Sequence, residues 1–289
     1  MRVAHLTDIH FQVAPSFSEL IAIKRLMGST NLYLLGRQKK FSLDVQRAAI
    51  QQIVDWKPDL VLITGDITAQ ALDAEFALAR QELDPILSQF PTVLQAGNHD
   101  TYITQDPPPK MQELFGEWML ETGAGFKQFG SVGVLCVESC RANLLSQGYV
   151  APTSLQKATQ LLKEQTADFV FFCMHYPLLG RRGETYGPST RAIKNATTVL
   201  DWLKETDGIH AFLHGHEHHG YQTKLTIKTG TIPSINPGAG GYAMDTKRDR
   251  RAHVALYTVK GSSLENIERR RFVDGQFEEE PNGAFATKR

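Results

Sequence analysis

Short apolar runs alternate along the chain with stretches in which apolar residues recur every three or four positions. The runs at 3–7, 60–64, 92–95, 132–137, 169–174 and 209–213 are rich in Val, Leu, Ile and Phe and read as strands. Between them, 43–56, 71–87, 155–165 and 197–204 carry the helical period. Alternation of this kind predicts a layered α/β fold with helices covering sheet faces. Beyond His218 the pattern shifts to β-like segments at 221–228, 231–235, 254–260 and 267–273, separated by Gly and Pro. That shift predicts a second, more antiparallel sheet. Residues 1–275 are expected to form one domain and 276–289 a polar tail that frays. Two long insertions, 11–41 and 101–125, interrupt the rhythm, and loops of that length are usually functional or partly helical.

Composition narrows the class. Of 289 residues, 42% are hydrophobic and 21% charged, which is ordinary for a globular protein. Lys plus Arg numbers 31 and Asp plus Glu 31, so no net field favours nucleic acid. Cys136, Cys140 and Cys173 have neither metal nor disulfide spacing and read as buried, reduced thiols. No run of signal-peptide type opens the sequence and no stretch is long and apolar enough to span a bilayer, so a soluble, cytoplasmic protein is expected.

Five of the apolar strands end alike, each handing over to Asp, His or Asn. They deliver Asp8-Ile9-His10, Gly65-Asp66, Gly97-Asn98-His99-Asp100, His175, and His214-Gly215-His216-Glu217-His218. In α/β sheets ligands bind outside the carboxyl ends of strands, so these blocks should converge on one crevice. Carboxylate, imidazole and amide oxygen without thiolate suit Mn, Fe, Zn, Co or Ni. Asp8 and His10, two apart in an extended segment, would point the same way and grip one ion, and His216 and His218 would repeat that geometry. Asp66, on its glycine turn, is the natural bridge between two cations. Two such ions clamp attacking and leaving oxygens and lower the pKa of a shared water. His5 and His210 lie within or at the start of strands and read as packed or hydrogen-bonded. His214 and His219 flank the ligands and stay open between a supporting and a bystander role.

The order D-x-H, GD, GNHD, H, GHxH over residues 8–218 resembles the signature of the calcineurin-like metallophosphoesterases, with no block missing. That resemblance implies a four-layer α-β-β-α sandwich of two mixed sheets and a dinuclear phosphoester hydrolase working through a metal-bridging hydroxide. It implies that Asp8, His10, Asp66 and His218 hold one metal (Mn, Fe or Zn), and Asp66, Asn98, His175 and His216 the other. His99 would protonate the leaving oxygen or stabilise the transition state, with Asp100 accepting a hydrogen bond from it to orient it. Every position is filled, which speaks against a non-catalytic protein-binding scaffold on the same fold.

The blocks do not choose the substrate. The Asp8-Ile9-His10 start, the 96–100 block and Asn236-Pro237-Gly238 are similar to bacterial members grouped with class III cyclic-nucleotide phosphodiesterases, which implies nucleotide-type diesters. Residues 17–40 interleave apolar residues with Lys24, Arg25, Arg37, Lys39 and Lys40, the pattern of a membrane-surface helix. Such an element also occurs in hydrolases of lipid-linked diphosphates such as UDP-2,3-diacylglucosamine, the alternative reading. The preferred reading of the segment is a helix packed on the sandwich edge with its lysines solvated. In the loop after His175, Arg181 and Arg182 are candidates to pair with phosphate oxygens and Tyr186 to stack on a base. The plain alternative there is a solvated loop with its arginines on Glu184 or water.

Overall fold

The computed structural model describes residues 1–16, 40–102, 108–143, 145–243, 245, 250–281 and 283–285. The basic–apolar segment 17–39 therefore lies outside the described residues. No helix among the described residues is long and apolar enough to cross a membrane.

Two six-stranded sheets stack face to face. The first runs β12 (Gln276–Glu279), β11 (Ser263–Val273), β10 (His253–Lys260), β1 (Arg2–Leu6), β2 (Leu60–Ile63), β3 (Thr92–Leu94). The second runs β4 (Ala124–Phe129), β5 (Val132–Val137), β6 (Phe169–Cys173), β7 (Ala211–Leu213), β9 (Gly230–Asn236), β8 (Tyr221–Ile227). Strands β1, β2 and β3 are mutually parallel, as are β5, β6, β7 and β9. The others are antiparallel to their neighbours, so both sheets are mixed.

The period of two in each strand divides its side chains between two cores. Val3, Leu60 and Leu62 face the second sheet, meeting Phe169, Phe171 and Leu213 in the layer between the sheets. Ala4, Leu6, Val61 and Ile63 face outward beneath α1 (Leu43–Trp56) and α2 (Asp73–Leu87). Val170 and Phe172 do the same beneath α4 (Pro152–Glu164) and α5 (Ala196–Lys204). Helix α1 buries Val45, Ala49, Ile50, Ile53 and Trp56, a stripe spaced by three and four. Each large side chain in it contributes about 1.5–3 kcal/mol on burial. The layers are α-β-β-α, as the resemblance implies.

Two features differ from the sequence reading. Segments after His218 build no sheet of their own: β8 and β9 extend the second sheet, and β10 to β12 extend the first. Residues 276–279, expected to open a polar tail, pair with β11, where Arg271 meets Glu278 at 2.6 Å. The second insertion is partly helical, as expected: it contains α3 (Pro109–Phe115), whose Met111 and Phe115 are buried, and ends in β4. The three cysteines are buried and free, as expected.

Candidate metal centre

Each of the five blocks sits just past a parallel strand, and pairing continues beyond the strand ends. The amides of Asp8 and His10 donate to the carbonyls of Gly65 and Asp66, both at 3.0 Å, and Gly215 donates to His175 at 2.9 Å. The buried Gln46 of α1 donates to the carbonyls of Ile9 (2.7 Å) and His10 (2.9 Å), so the first helix holds the first block in place. Close approach requires glycine at two positions. A Cβ on Gly97 would overlap the Asp66 carboxylate, and one on Gly215 would overlap Thr7 and Asp8.

The backbone at the blocks is not extended. Asp8, His10, Asp66, His216 and His218 have φ of 51°, 53°, 55°, 72° and 56°. Side chains other than glycine rarely adopt this left-handed region, and each such residue costs about 1 kcal/mol or more. The expected strand-like alternation at Asp8–His10 and His216–His218 is thus replaced by turns, because the chain must fold back to aim both side chains inward.

Those side chains form two groups whose ligand atoms lie within 4.8 Å of one another: Asp8, His10, Asp66 and His218, and Asp66, His175 and His216. Asp66 belongs to both. His216 and His218 part company, one to each group, rather than gripping one ion together. Asn98 Oδ1 joins the second group, 3.1 Å from His175 Nε2 and 2.7 Å from His216 Nδ1.

Hydrogen bonds on the far side of three imidazoles set their tautomers. His10 Nδ1 meets the Thr68 carbonyl at 3.0 Å, His175 Nδ1 the Thr64 carbonyl at 2.8 Å, and His216 Nε2 the Arg191 carbonyl at 3.1 Å. A carbonyl only accepts, so each of these nitrogens carries the proton and the other presents a lone pair. The lone pairs converge. His10 Nε2 and His175 Nε2 lie 3.6 and 3.4 Å from Asp66 Oδ2, a buried oxygen that meets no hydrogen-bond donor among the described residues. His10 Nε2 also faces His218 Nε2 at 3.0 Å. Two imidazole lone pairs facing a carboxylate oxygen in a buried site demand positive charge between them. The donor set therefore fits a pair of cations. Burial alone would raise the Asp66 carboxyl, but His175, His99 and His10 more than offset it and hold it well below the usual range. Burial pulls His175 down, and Asp66 beside it outweighs that and lifts the imidazole to about 9, so without an ion a proton on Nε2 supplies the positive charge that an ion would bring.

His99 lines the cleft above these groups. Its amide donates to Asp66 Oδ1 at 2.7 Å, and its Nδ1 donates to the Ala69 carbonyl at 2.6 Å. Asp100 does not bond this imidazole, contrary to the role the resemblance implies. Its carboxylate accepts from the amides of Gly97 (2.8 Å), Ile67 (3.2 Å) and Thr68 (2.8 Å) and from the Thr68 hydroxyl (2.8 Å). It ties the Gly97–Asp100 turn to the turn after β2. Burial, with Asp66 nearby, pushes its carboxyl up to about 7.

Of the loop candidates, Arg181 lines the cleft and stands 3.9 Å from Glu217. Arg182 is exposed and its amide donates to Glu184 at 2.9 Å; it is not among the cleft-lining residues. Tyr186 is buried with its hydroxyl on Glu217 at 2.5 Å, so it supports the loop and is not free to stack on a base. His5 is packed between the sheets on Tyr257 and Thr64, and His210 accepts from the Val170 amide at 3.0 Å. His214 is buried beside Ser234 and Asn236. His219 lines the cleft, and burial, then Arg181 and Arg250, lower its imidazole to about 3.

Sequence reasoning missed Phe41 and Tyr242, whose rings wall the first group. Phe41 packs on His10 at 4.4 Å between centroids and Tyr242 on Phe41 at 5.3 Å. It also missed the role of Asn236, whose side-chain amide donates to the Gly215 carbonyl at 2.6 Å.

A four-layer sandwich that gathers oxygen and imidazole donors at its strand ends, with one shared carboxylate, is the arrangement of dinuclear phosphoesterases. This chain belongs to the calcineurin-like phosphoesterase family, whose model matches residues 1–220. It is 24% identical over 216 residues to a probable cyclic nucleotide phosphodiesterase of Vesicomyosocius okutanii, covering 74% of this chain and 85% of the relative. A protein of the same description from Ruthia magnifica is 23% identical over 188 residues, covering 64% of this chain and 73% of the relative. Among solved structures, a dimetal phosphatase from Danio rerio superposes with a TM-score of 0.59 at 13% identity, each chain covered to 99%.

Proposed function

We propose that the protein is a two-metal phosphodiesterase that hydrolyses nucleotide-type diesters. The observation that carries the reading is the buried Asp66 Oδ2, which meets no donor among the described residues and has imidazole lone pairs on either side. Asp8, His10, Asp66 and His218 would hold one ion, and Asp66, Asn98, His175 and His216 the other. The donor set of oxygen and imidazole suits Mn, Fe or Zn. Such a pair supplies Lewis acidity and charge neutralisation for phosphoryl transfer.

The chain's own residues do the rest. His99 keeps Nδ1–H on the Ala69 carbonyl throughout, so Nε2 is the nitrogen that exchanges a proton. Protonated at Nε2, it delivers that proton to the leaving oxygen and is left as the neutral tautomer Ala69 already favours. Arg181 at the cleft mouth pairs with phosphate oxygens. Phe41 and Tyr242 shield one side of the cleft from water. The preference for nucleotide-type diesters is supported by the description of the two relatives.

The test is hydrolysis of bis-p-nitrophenyl phosphate, then of cyclic nucleotides and of UDP-2,3-diacylglucosamine. Activity should vanish with chelator and return with Mn²⁺. Full activity in protein shown by metal analysis to be empty would overturn the metal reading. Turnover of the lipid diphosphate alone would overturn the substrate class.

A further inference from the structure

We propose that the cleft contains a second anion subsite, formed by Arg181, Arg191 and Arg250, which takes a phosphoryl group other than the one being attacked. The proposal rests on the phosphoesterase reading and names its substrate class: a nucleotide-type ester that carries an additional phosphate.

The cleft encloses about 550 Å³, within the range of sites that take nucleotide-sized ligands. Its lining includes Lys40, Arg181, Arg191 and Arg250 against two acids, Asp66 and Glu217. Asp66 lies at the floor, with Oδ1 accepting from the His99 amide and Oδ2 turned toward the imidazoles of both ligand groups. Glu217 is shared: Oε1 takes the Tyr186 hydroxyl, and Oε2 stands 3.9 Å from the guanidinium of Arg181. Among the described lining residues, three arginines thus meet one carboxylate at the mouth. A single diester phosphate carries one negative charge and sits at the floor, so it leaves most of this positive charge unmatched. A second phosphoryl group brings the one or two further charges that the excess calls for.

Arg191 and Arg250 are fixed through their main chains rather than through acidic partners. The Arg191 carbonyl holds His216 Nε2 at 3.1 Å, which places this arginine directly beside the second ligand group. Arg250 pairs with Asp245 through two backbone hydrogen bonds, at 2.8 and 3.1 Å. Its Nε is buried and meets no acceptor among the described residues. A buried guanidinium donor without an acceptor is costly, and a phosphate oxygen is the acceptor whose geometry suits it best.

A matched pair of esters isolates the subsite. The p-nitrophenyl ester of thymidine 5′-phosphate and the same ester carrying a 3′-phosphate share the reacting group and differ by one phosphoryl group. With Mn²⁺-loaded full-length protein, kcat/KM should be at least about tenfold higher for the second, the gain expected from one or two charged hydrogen bonds. Arg191→Ala should shrink that ratio, and Arg191→Ala with Arg250→Ala should bring it close to one. Binding gives a readout independent of turnover. By calorimetry, the wild type should bind thymidine 3′,5′-bisphosphate at least tenfold more tightly than thymidine 5′-phosphate, and the double variant should not discriminate. Equal kcat/KM on the two esters with equal binding of the two nucleotides overturns the subsite, as does discrimination that survives the double substitution. If neither ester is cleaved, the hydrolase reading fails instead, and calorimetry still decides the subsite.

Discussion

His99 Nδ1 stands 2.6 Å from the carbonyl oxygen of Ala69, on the turn after β2, while the neighbouring Asp100 carboxylate turns away to accept four donors of its own. The imidazole is oriented by a neutral carbonyl and the turn is locked by the carboxylate. The two adjacent residues therefore fail in different ways when substituted.

Asp100→Ala strands three backbone amides in a buried turn and leaves the Thr68 hydroxyl to the His99 carbonyl. At about 1–3 kcal/mol for an unsatisfied donor, partly relieved by water, the loss should reach about 3–5 kcal/mol in denaturant unfolding. A variant that unfolds like the wild type would show that the turn is held by something else.

His99→Ala should keep its metal and its unfolding midpoint while kcat falls roughly 10²–10⁴-fold. Asp66→Ala should lose metal, because it removes the carboxylate shared by both groups. Metal analysis of the two purified variants side by side reads the difference. Equal depletion in both would place His99 among the ligands.

Chelation should lower thermal stability in the wild type. Acceptors facing acceptors destabilise the empty site, and an ion at a hundred times its Kd restores about 2.7 kcal/mol. Calorimetric scans with chelator and with added Mn²⁺ measure the shift, and identical melting in both would argue that the site takes no ion.

His5 gives a pH dependence that does not involve the metal. Burial, then His214, lowers its imidazole to about 3, against 6.5 in the unfolded chain. Folded pKa below unfolded means that the unfolded state takes up the proton first. Stability is full above pH 6.5 and is lost as pH falls toward 3, by about 1.4 kcal/mol per unit. In chelated protein, unfolding free energy should drop by about 2–3 kcal/mol from pH 6.5 to 4.5 through this residue. His5→Gln, which retains an acceptor and a donor for Thr64 and Tyr257, should flatten that slope. An unchanged slope would assign the acid sensitivity to other groups.

The ligand blocks were legible because Asp, His and Asn closing an apolar run are costly to bury unless something compensates them, and five such endings share one topology. The layers were legible for the same reason: the runs are apolar on both faces, as strands between two layers must be. What escaped has no side-chain signature. The orienting partners of His10, His99 and His175 are main-chain carbonyls of Thr68, Ala69 and Thr64, and any residue could supply them. The positive φ at Asp8 and His216 is invisible because no glycine marks it. Strand β12 has one buried apolar residue, Phe277, and is held largely by pairing to the arginine-rich β11. Arg182 looked equivalent to Arg181, and only the turn closed by Glu184 separates their directions.

Both ligand groups straddle the sandwich. Asp8, His10 and Asp66 come from the first sheet, and His175, His216 and His218 from the second. Elsewhere the sheets meet through apolar contact such as Val3, Leu62, Phe171 and Tyr257, which resists separation but not sliding. Metal at the strand ends would therefore act as a clasp between two plates, stopping shear at one end of an otherwise greased interface. In the empty protein that end keeps hydrogen bonds between the plates, from His175 Nδ1 to the Thr64 carbonyl and from the His216 amide to Asp8, and ions would add to them, so the geometry of the cleft and the occupancy of its floor are set together.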